Sequence, residues 1–284
     1  MAVRMRDLVM GALPQLRVHP VQKWVRATVG DVVVVDSQAP RLVWEPRRIV
    51  PSYAVPREDL RAELLPHAPA ADPDGQEQPV PSGSGGPPVL DPRTPFAVHS
   101  TPGTPLTVLT PQAELPGAAF APDDPDLAGY VVLDWRAFTL WFEEDEPVMG
   151  HPHDPFDRID CLRSIRHVRI GLDGVLLADS RRATLLFETP LPVRYYLPRE
   201  DVAMDLLEPS RLRTVCAYKG RASYWSARAG EELLRDIAWT YERPLHDAVP
   251  VQGMVAFFTE RLDVVVDGAA VPRPVTPWSD LPPG

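Results

Sequence analysis

The sequence predicts an all-β protein with short helices, in which one small domain occurs twice, first as a degenerate copy and then as an intact one. Three observations carry this expectation. The chain repeats itself at a nearly fixed offset, and such repeats mark duplicated structural units. Each copy opens with short apolar runs separated by tight turns, the pattern of strands. Helical signals are confined to one brief element per copy.

The repeat runs element by element. Residues Val25 to Asp31 and Val168 to Gly174 both read as a strand entering a tight turn. An apolar run follows in each, ending in Asp36-Ser37 and Asp179-Ser180. A second apolar run ends in Trp44-Glu45 and in Phe187-Glu188, all at an offset of 143 residues. Tyr53 then aligns with Tyr195, and Pro56-Arg57-Glu58-Asp59 with Pro198-Arg199-Glu200-Asp201, at an offset of 142. Pro suits a first helical position and acids suit the first turn, so this element predicts one short helix in each copy. In the second copy Val202, Leu206 and Leu207 continue it at helical spacing.

Beyond this point the copies diverge. The second predicts a hairpin turning near Lys219-Gly220-Arg221, then a strand through Trp239 and Tyr241. In the first, residues 66–126 stand in its place and hold 15 prolines and the run Ser82-Gly83-Ser84-Gly85-Gly86. Little apolar surface is available there to offset the entropy of ordering, so residues 67–104 are expected to be flexible and the central hairpin to be missing. The copies rejoin in closing strands at Gly129 to Leu133 and Gly253 to Phe257. The expected organisation is an arm (1–24), a first repeat (25–145) with its Pro-rich insertion, a linker (146–167), a second repeat (168–270) and a Pro-rich tail (271–284). Erosion of one copy leaves apolar surface that the other can cover, so the repeats are expected to pack as an intrachain pseudo-dimer.

Composition narrows the function classes. A net charge of −10 argues against nucleic-acid backbones and anionic membranes, both of which attract basic surfaces. No apolar stretch is long enough to suggest a membrane span, and Arg4, Arg6 and Asp7 interrupt what would otherwise be an apolar start. Two cysteines, Cys161 and Cys216, give neither a disulfide framework nor a four-thiolate zinc site, and the expected compartment is the reducing cytoplasm. Of 29 basic residues only Lys23 and Lys219 are lysines, the bias of a GC-rich coding sequence, bacterial in type. A lysine that survives such a bias is a candidate for a role that arginine cannot fill, since ammonium can lose its proton and acts as a compact point charge. Lys219 is taken as such a candidate and Lys23 as a chance survivor.

The elements Asp179-Ser180, Tyr195-Tyr196-x-Pro-Arg-Glu-Asp, Cys216-x-Tyr218-Lys219-Gly220-x-Ala222-x-Tyr224-Trp225 and Trp239-x-Tyr241, in this order, resemble domain-of-unknown-function family 427. The resemblance covers residues 168–268 in full and 25–60 with 127–145 in part, as in tandem members. It implies a compact β-tent-like fold, making two β-tent-like repeats, and says little about activity. The family sometimes carries a nucleotidyltransferase-like label, but the sequence shows no glycine-rich phosphate loop or paired metal-binding carboxylates. Many β-tent domains hold zinc through two C-x-x-C knuckles; neither is present, so no metal and no other cofactor is carried over.

The candidate site is the hairpin of the second copy. Lys219 is expected to act as base, nucleophile or anion anchor, its pKa lowered by apolar walls, with Glu188 as a candidate catalytic acid. Cys216, Tyr218, Tyr224, Trp225, Trp239 and Tyr241 would line a pocket that stacks a planar ring, Gly220 would let the backbone approach the ligand, and Arg199 would bind it. The structural alternative is a β core in which Lys219 pairs with Glu188, or in which Glu188 and Glu45 pair with Arg199 and Arg57. The functional expectation is an unidentified small molecule, polar aromatic or nucleotide-like, with group transfer or hydrolysis as the chemistry if there is any. The rival is a non-catalytic scaffold offering its Pro-rich insertion to a partner protein as polyproline II. A weaker reading places a metal at His151, His153, Asp154 and Asp157. Expressing residues 160–284 alone tests the pseudo-dimer: a fragment less stable than the full chain is expected, and an unchanged melting temperature would count against it.

Overall fold

The computed structural model describes residues 2–68, 89–189, 191–229, 232–276 and 279. The chain folds as two compact units, the first running to Asp154 and the second from Pro155. Both are built of antiparallel sheets with short 3-10 turns, and one α-helix, Met5–Gly11, is present among the described residues. None of the described helices is long and apolar enough to cross a membrane.

The first unit holds a seven-stranded sheet in the order Arg17–Pro20, Arg41–Trp44, Ser52–Pro56, Tyr130–Leu133, Glu114–Pro122, Gly103–Leu109 and Glu63–Pro66. In the second unit Ile159–Arg163 pairs with Thr184–Glu188, which pairs with Arg194–Tyr196. A bridge from Leu197 to Val255 then leads to Val255–Phe257, Glu232–Thr240, Gly220–Ala229 and Leu207–Cys216 in that order. Strand for strand the order is the same. A smaller sheet completes each unit: Glu146–Val148, Leu140–Glu143, Val25–Val29 and Val32–Ser37 in the first, Ala269–Val271, Asp263–Val266, Val168–Leu172 and Val175–Ser180 in the second. Even a register break recurs, between Ala27 and Thr28 and between Ile170 and Gly171.

Two repeated motifs acquire a structural reason. Ser37 Oγ donates to Asp59 at 2.6 Å, and Ser180 Oγ donates to Asp201 at 2.7 Å. The Asp-Ser and Arg-Glu-Asp elements therefore recur together because each Ser is tied to the Asp of the following motif. That motif is the expected short helical element, reduced to one turn. It is a single 3-10 turn, Arg57–Asp59 or Arg199–Asp201, after which Leu60 and Val202 bridge back to the sheet. Leu206 and Leu207 owe their spacing to a second 3-10 turn, Met204–Leu206, and to the start of a strand.

The first unit does not lack the central hairpin. Glu63–Pro66 and Gly103–Leu109 form its paired strands, and the additional chain enters where the second unit has only the turn between Cys216 and Gly220. Nor are residues 89–104 loose. Val89 and Leu90 are buried, and Leu90 exchanges backbone hydrogen bonds with Arg47 and Ile49. The buried Arg48 guanidinium donates to the carbonyls of Pro95 at 2.8 Å and Val98 at 2.7 Å, which fixes the approach to the hairpin. The remainder of the expected flexible segment, residues 69–88, lies outside the described residues. Three strands also fall in regions expected to be arm or linker, Arg17–Pro20, Glu146–Val148 and Ile159–Arg163.

Lys23 is not a bystander. Its Nζ lies 2.6 Å from Glu143 Oε2, in a cluster where Tyr53 Oη donates to Glu143 Oε1 at 2.9 Å and His153 approaches through its ring and its backbone N–H. Burial alone would raise the Glu143 pKa, but the hydrogen bonds from His153 and Lys23 outweigh it and bring the value down from 4.5 to about 2. A depressed carboxylate pKa stabilises the fold above the unfolded value, and that stability is lost as pH falls through the folded value. Wild type is therefore expected to lose stability between pH 4.5 and about 2, and Glu143→Gln to be weaker at neutral pH but flatter across this window. Urea midpoints at pH 5 and pH 3 check it; equal losses in both proteins would contradict it.

Candidate functional site

The site in the second unit is assembled from six strands and one turn. Glu188 ends Thr184–Glu188, Tyr196 ends Arg194–Tyr196, and Cys216 ends Leu207–Cys216. Lys219 closes the turn that leads into Gly220–Ala229. Its Nζ lies 2.5 Å from Glu188 Oε2, with the two side chains 10% and 12% exposed. Tyr224 and Trp239 are a cross-strand pair, and Tyr241 lies two residues beyond Trp239, so all three share one sheet face. Trp239 Nε1 donates to Tyr196 Oη at 3.0 Å, and Tyr224 Oη is 2.8 Å from Thr214 Oγ1. Cys161 sits on the neighbouring strand, opposite Leu186, with its sulfur 3.8 Å from the Asp247 carbonyl. Arg158 pairs with Asp247 and rests over the Tyr218 ring.

The electrostatics contradict the expected low pKa of Lys219. Burial pulls it down, but the Glu188 carboxylate, with Cys216 and Tyr196 nearby, more than offsets this and holds it above its ordinary value. Lys219 is thus a protonated anchor and not a free base. Burial also raises the phenols of Tyr196, Tyr224 and Tyr241, so they stay neutral and offer both a donor and an acceptor. The Cys161 thiol is pushed up by burial and then by Asp160, which makes it a weak nucleophile at neutral pH.

Residues 160–268 match the family model described as Domain of unknown function (DUF427). This segment is a member of that family. No curated protein matches the chain.

Within the DUF427 domain the structure gathers Lys219, Glu188, Cys216, Tyr224, Trp239 and Tyr241, while Tyr218 joins through Arg158. It does not bring in Trp225 and Arg199. Trp225 follows Tyr224 in an extended strand and so points to the opposite face, where the Arg199 guanidinium lies 5.2 Å from its ring centroid. Arg199 consequently does not pair with Glu188. Gly220 adopts φ +94°, and its close approach is to the backbone of Arg243 and Leu245, not to open space. Sequence reasoning missed Tyr196 as a site residue and set Cys161 aside in the linker. It also missed Arg194 and Glu260, a buried pair with two bonds of 2.7 Å, to which Thr276 Oγ1 adds a third. The weaker metal reading does not survive: His153 faces Glu143, His151 Nδ1 faces the Pro152 carbonyl, and no three His, Cys, Asp or Glu side chains among the described residues are grouped to hold a metal.

The first unit shows which part of this site is shared. Glu45, in the place of Glu188, is bound by His99 Nδ1 at 3.0 Å and by the Ser100 backbone N–H at 2.7 Å. These residues lead into Gly103–Leu109 much as Lys219 leads into Gly220–Ala229. The carboxylate and its partner therefore recur, but the surroundings do not. By strand register, Cys161, Tyr196, Tyr224, Trp239 and Tyr241 correspond to Val18, Ala54, Pro105, Phe120 and Pro122. Removing one member of a buried ion pair strands the other charge, at a cost of roughly 3–5 kcal/mol. Lys219→Met is expected to destabilise by that order, and Lys219→Met with Glu188→Gln by clearly less. Chemical denaturation of both variants checks this, and equal losses would show that the stranded carboxylate is not the source.

Proposed function

We propose that the DUF427 domain binds a small polar aromatic or nucleotide-like molecule at the Lys219–Glu188 pair. The observation that carries this reading is the difference between the units. Where the first has Val18, Ala54, Pro105 and Pro122, the second places a thiol and three phenols around the same carboxylate. A β core has no need of so many ionisable groups, and burying polar groups costs free energy unless they are matched. Lys219 would anchor an electron-rich edge of the ligand, and Glu188 would keep the ammonium oriented. The tyrosine hydroxyls would supply directional hydrogen bonds, and Trp239 a ring face. Since the pair is already neutral, the best complement is a ligand edge with both donor and acceptor, such as an amide or a heterocycle. Arg158 and Asp247 would form the rim.

Thermal shifts against nucleotides, aromatic cofactors and common metabolites test the proposal. A ligand at 100 times its Kd stabilises by roughly 2.7 kcal/mol. The expected result is a hit that disappears in the Lys219→Met, Glu188→Gln double variant, whose pair is removed without leaving a stranded charge. A panel without hits, or a hit of equal size in the double variant, would overturn it.

A further inference from the structure

The second unit carries a hollow of about 210 Å³, away from the Lys219 pair, with Tyr195, Thr259, Val264 and Val271 in its wall and the remainder mostly proline. The first unit shows what belongs in such a place. Trp141 pairs with Ala27 on one side and Val148 on the other, and Val264 pairs in the same way with Ile170 and Val271. Tyr53 lies opposite Leu42 as Tyr195 lies opposite Leu185. Asp134 N–H donates to the Ala118 carbonyl as Phe258 N–H donates to that of Ile237, so the next residues, Trp135 and Thr259, also correspond. The four named wall residues are thus the counterparts of Tyr53, Trp135, Trp141 and Val148.

In the first unit these positions form a closed aromatic stack. Trp135 and Trp141 lie 4.8 Å apart and nearly parallel at 7°, and Tyr53 lies 5.9 Å from Trp141. Trp141 Nε1 donates to the Trp135 carbonyl at 3.0 Å. In the second unit both indoles are gone, replaced by Val and Thr, while the tyrosine and the valine at the edge remain. The hollow is bounded by the positions that carry those indoles in the first unit.

We infer that this hollow is a binding site for a planar aromatic molecule of the indole class, which takes the place that Trp141 holds in the first unit. Tyr195 offers its ring face, as Tyr53 does to Trp141, Val264 and Val271 offer the apolar floor, and the Thr259 carbonyl corresponds to the Trp135 carbonyl that accepts the indole N–H. The size is adequate, since a dry apolar cavity of about 150 Å³ takes up benzene. The chemistry is that of a largely apolar pocket with one orienting acceptor.

The test is a titration of the full chain with indole, followed by the amide NMR signals of Thr259 and Val271. Saturable shifts at these residues are expected. Val264→Trp, which supplies from the chain the ring that the first unit has, is expected to weaken indole binding at least tenfold without lowering the melting temperature. Val264→Phe serves if the larger ring prevents folding, with the same expected direction. The Lys219→Met, Glu188→Gln variant should bind indole as wild type does, which separates this site from the one proposed above. No saturable shift up to millimolar indole, equal affinity in wild type and the filled variant, or loss of affinity only in the Lys219 variant would each overturn the inference.

Discussion

Each unit holds a carboxylate largely withdrawn from solvent, Glu45 or Glu188, at or just past the end of a strand of the main sheet. A carboxylate in such a place costs several kcal/mol unless a partner is brought to it. The partner comes from the segment just before Gly103–Leu109 or Gly220–Ala229, the fifth strand of the sheet in chain order, so satisfying the charge also fixes how the chain enters that strand. In the second unit this is Lys219, at 2.5 Å, from a turn held by Gly220 and by the Leu245 N–H on the Lys219 carbonyl. In the first it is His99 with the Ser100 N–H, delivered by a longer segment that Arg48 holds through backbone carbonyls. One constraint is met by two chemistries. The retention of lysine in a chain that otherwise uses arginine has a plain reason: a compact ammonium fits at the mouth of a three-residue turn, where a planar fork with five donors would leave several unmatched.

Much of this was legible in the sequence. The offset of 143 residues placed two strands of each smaller sheet and the Glu188 strand correctly, because apolar period and turn residues are local signals. Lys219 and Glu188 were both singled out, and their pairing was one of the alternatives considered. The errors have physical causes. The Arg-Glu-Asp element looks like the start of a longer helix because a 3-10 turn and the first turn of an α-helix favour the same residues, and only the following backbone distinguishes them. The first hairpin was missed because proline density was taken as disorder. Yet Pro66 and Pro105 sit within its strands, with Pro66 at the end of one, and the ladder beside them carries it. Cys161 and Tyr196 were missed for another reason. What places them is strand register across the sheet, in which Cys161 faces Leu186 and Tyr196 faces Thr184, and a linear reading does not contain that partner list.

The protonation states narrow the chemistry that the second unit can support. A lysine held charged by a carboxylate at hydrogen-bond distance is a poor base and a good anchor. Phenols kept neutral by burial give and accept hydrogen bonds without adding charge. A thiol raised by burial and by Asp160 is not primed for attack. Together they describe a polar, neutral lining suited to orienting a ligand, and any bond-breaking step there would need its proton acceptor from the ligand or from solvent.

The two units then differ in a consistent direction. In the first, the place beside the buried carboxylate is filled by His99 stacked on Phe120 at 3.7 Å, and the place beside Tyr53 is filled by Trp135 and Trp141. In the second, aromatic bulk gives way to Val264 and Thr259 beside Tyr195, and beside the carboxylate apolar Val18, Ala54, Pro105 and Pro122 give way to the thiol and phenols of Cys161, Tyr196, Tyr224 and Tyr241. Filling a core with the chain's own rings maximises dispersion and removes apolar surface from water, so it serves stability. Leaving a hollow and gathering unneeded polar groups sacrifices some of that stability. A unit that needed only to fold would gain by adopting the first pattern, and the second unit's departure from it at two separate places is the physical ground for the proposal that the DUF427 domain binds a ligand.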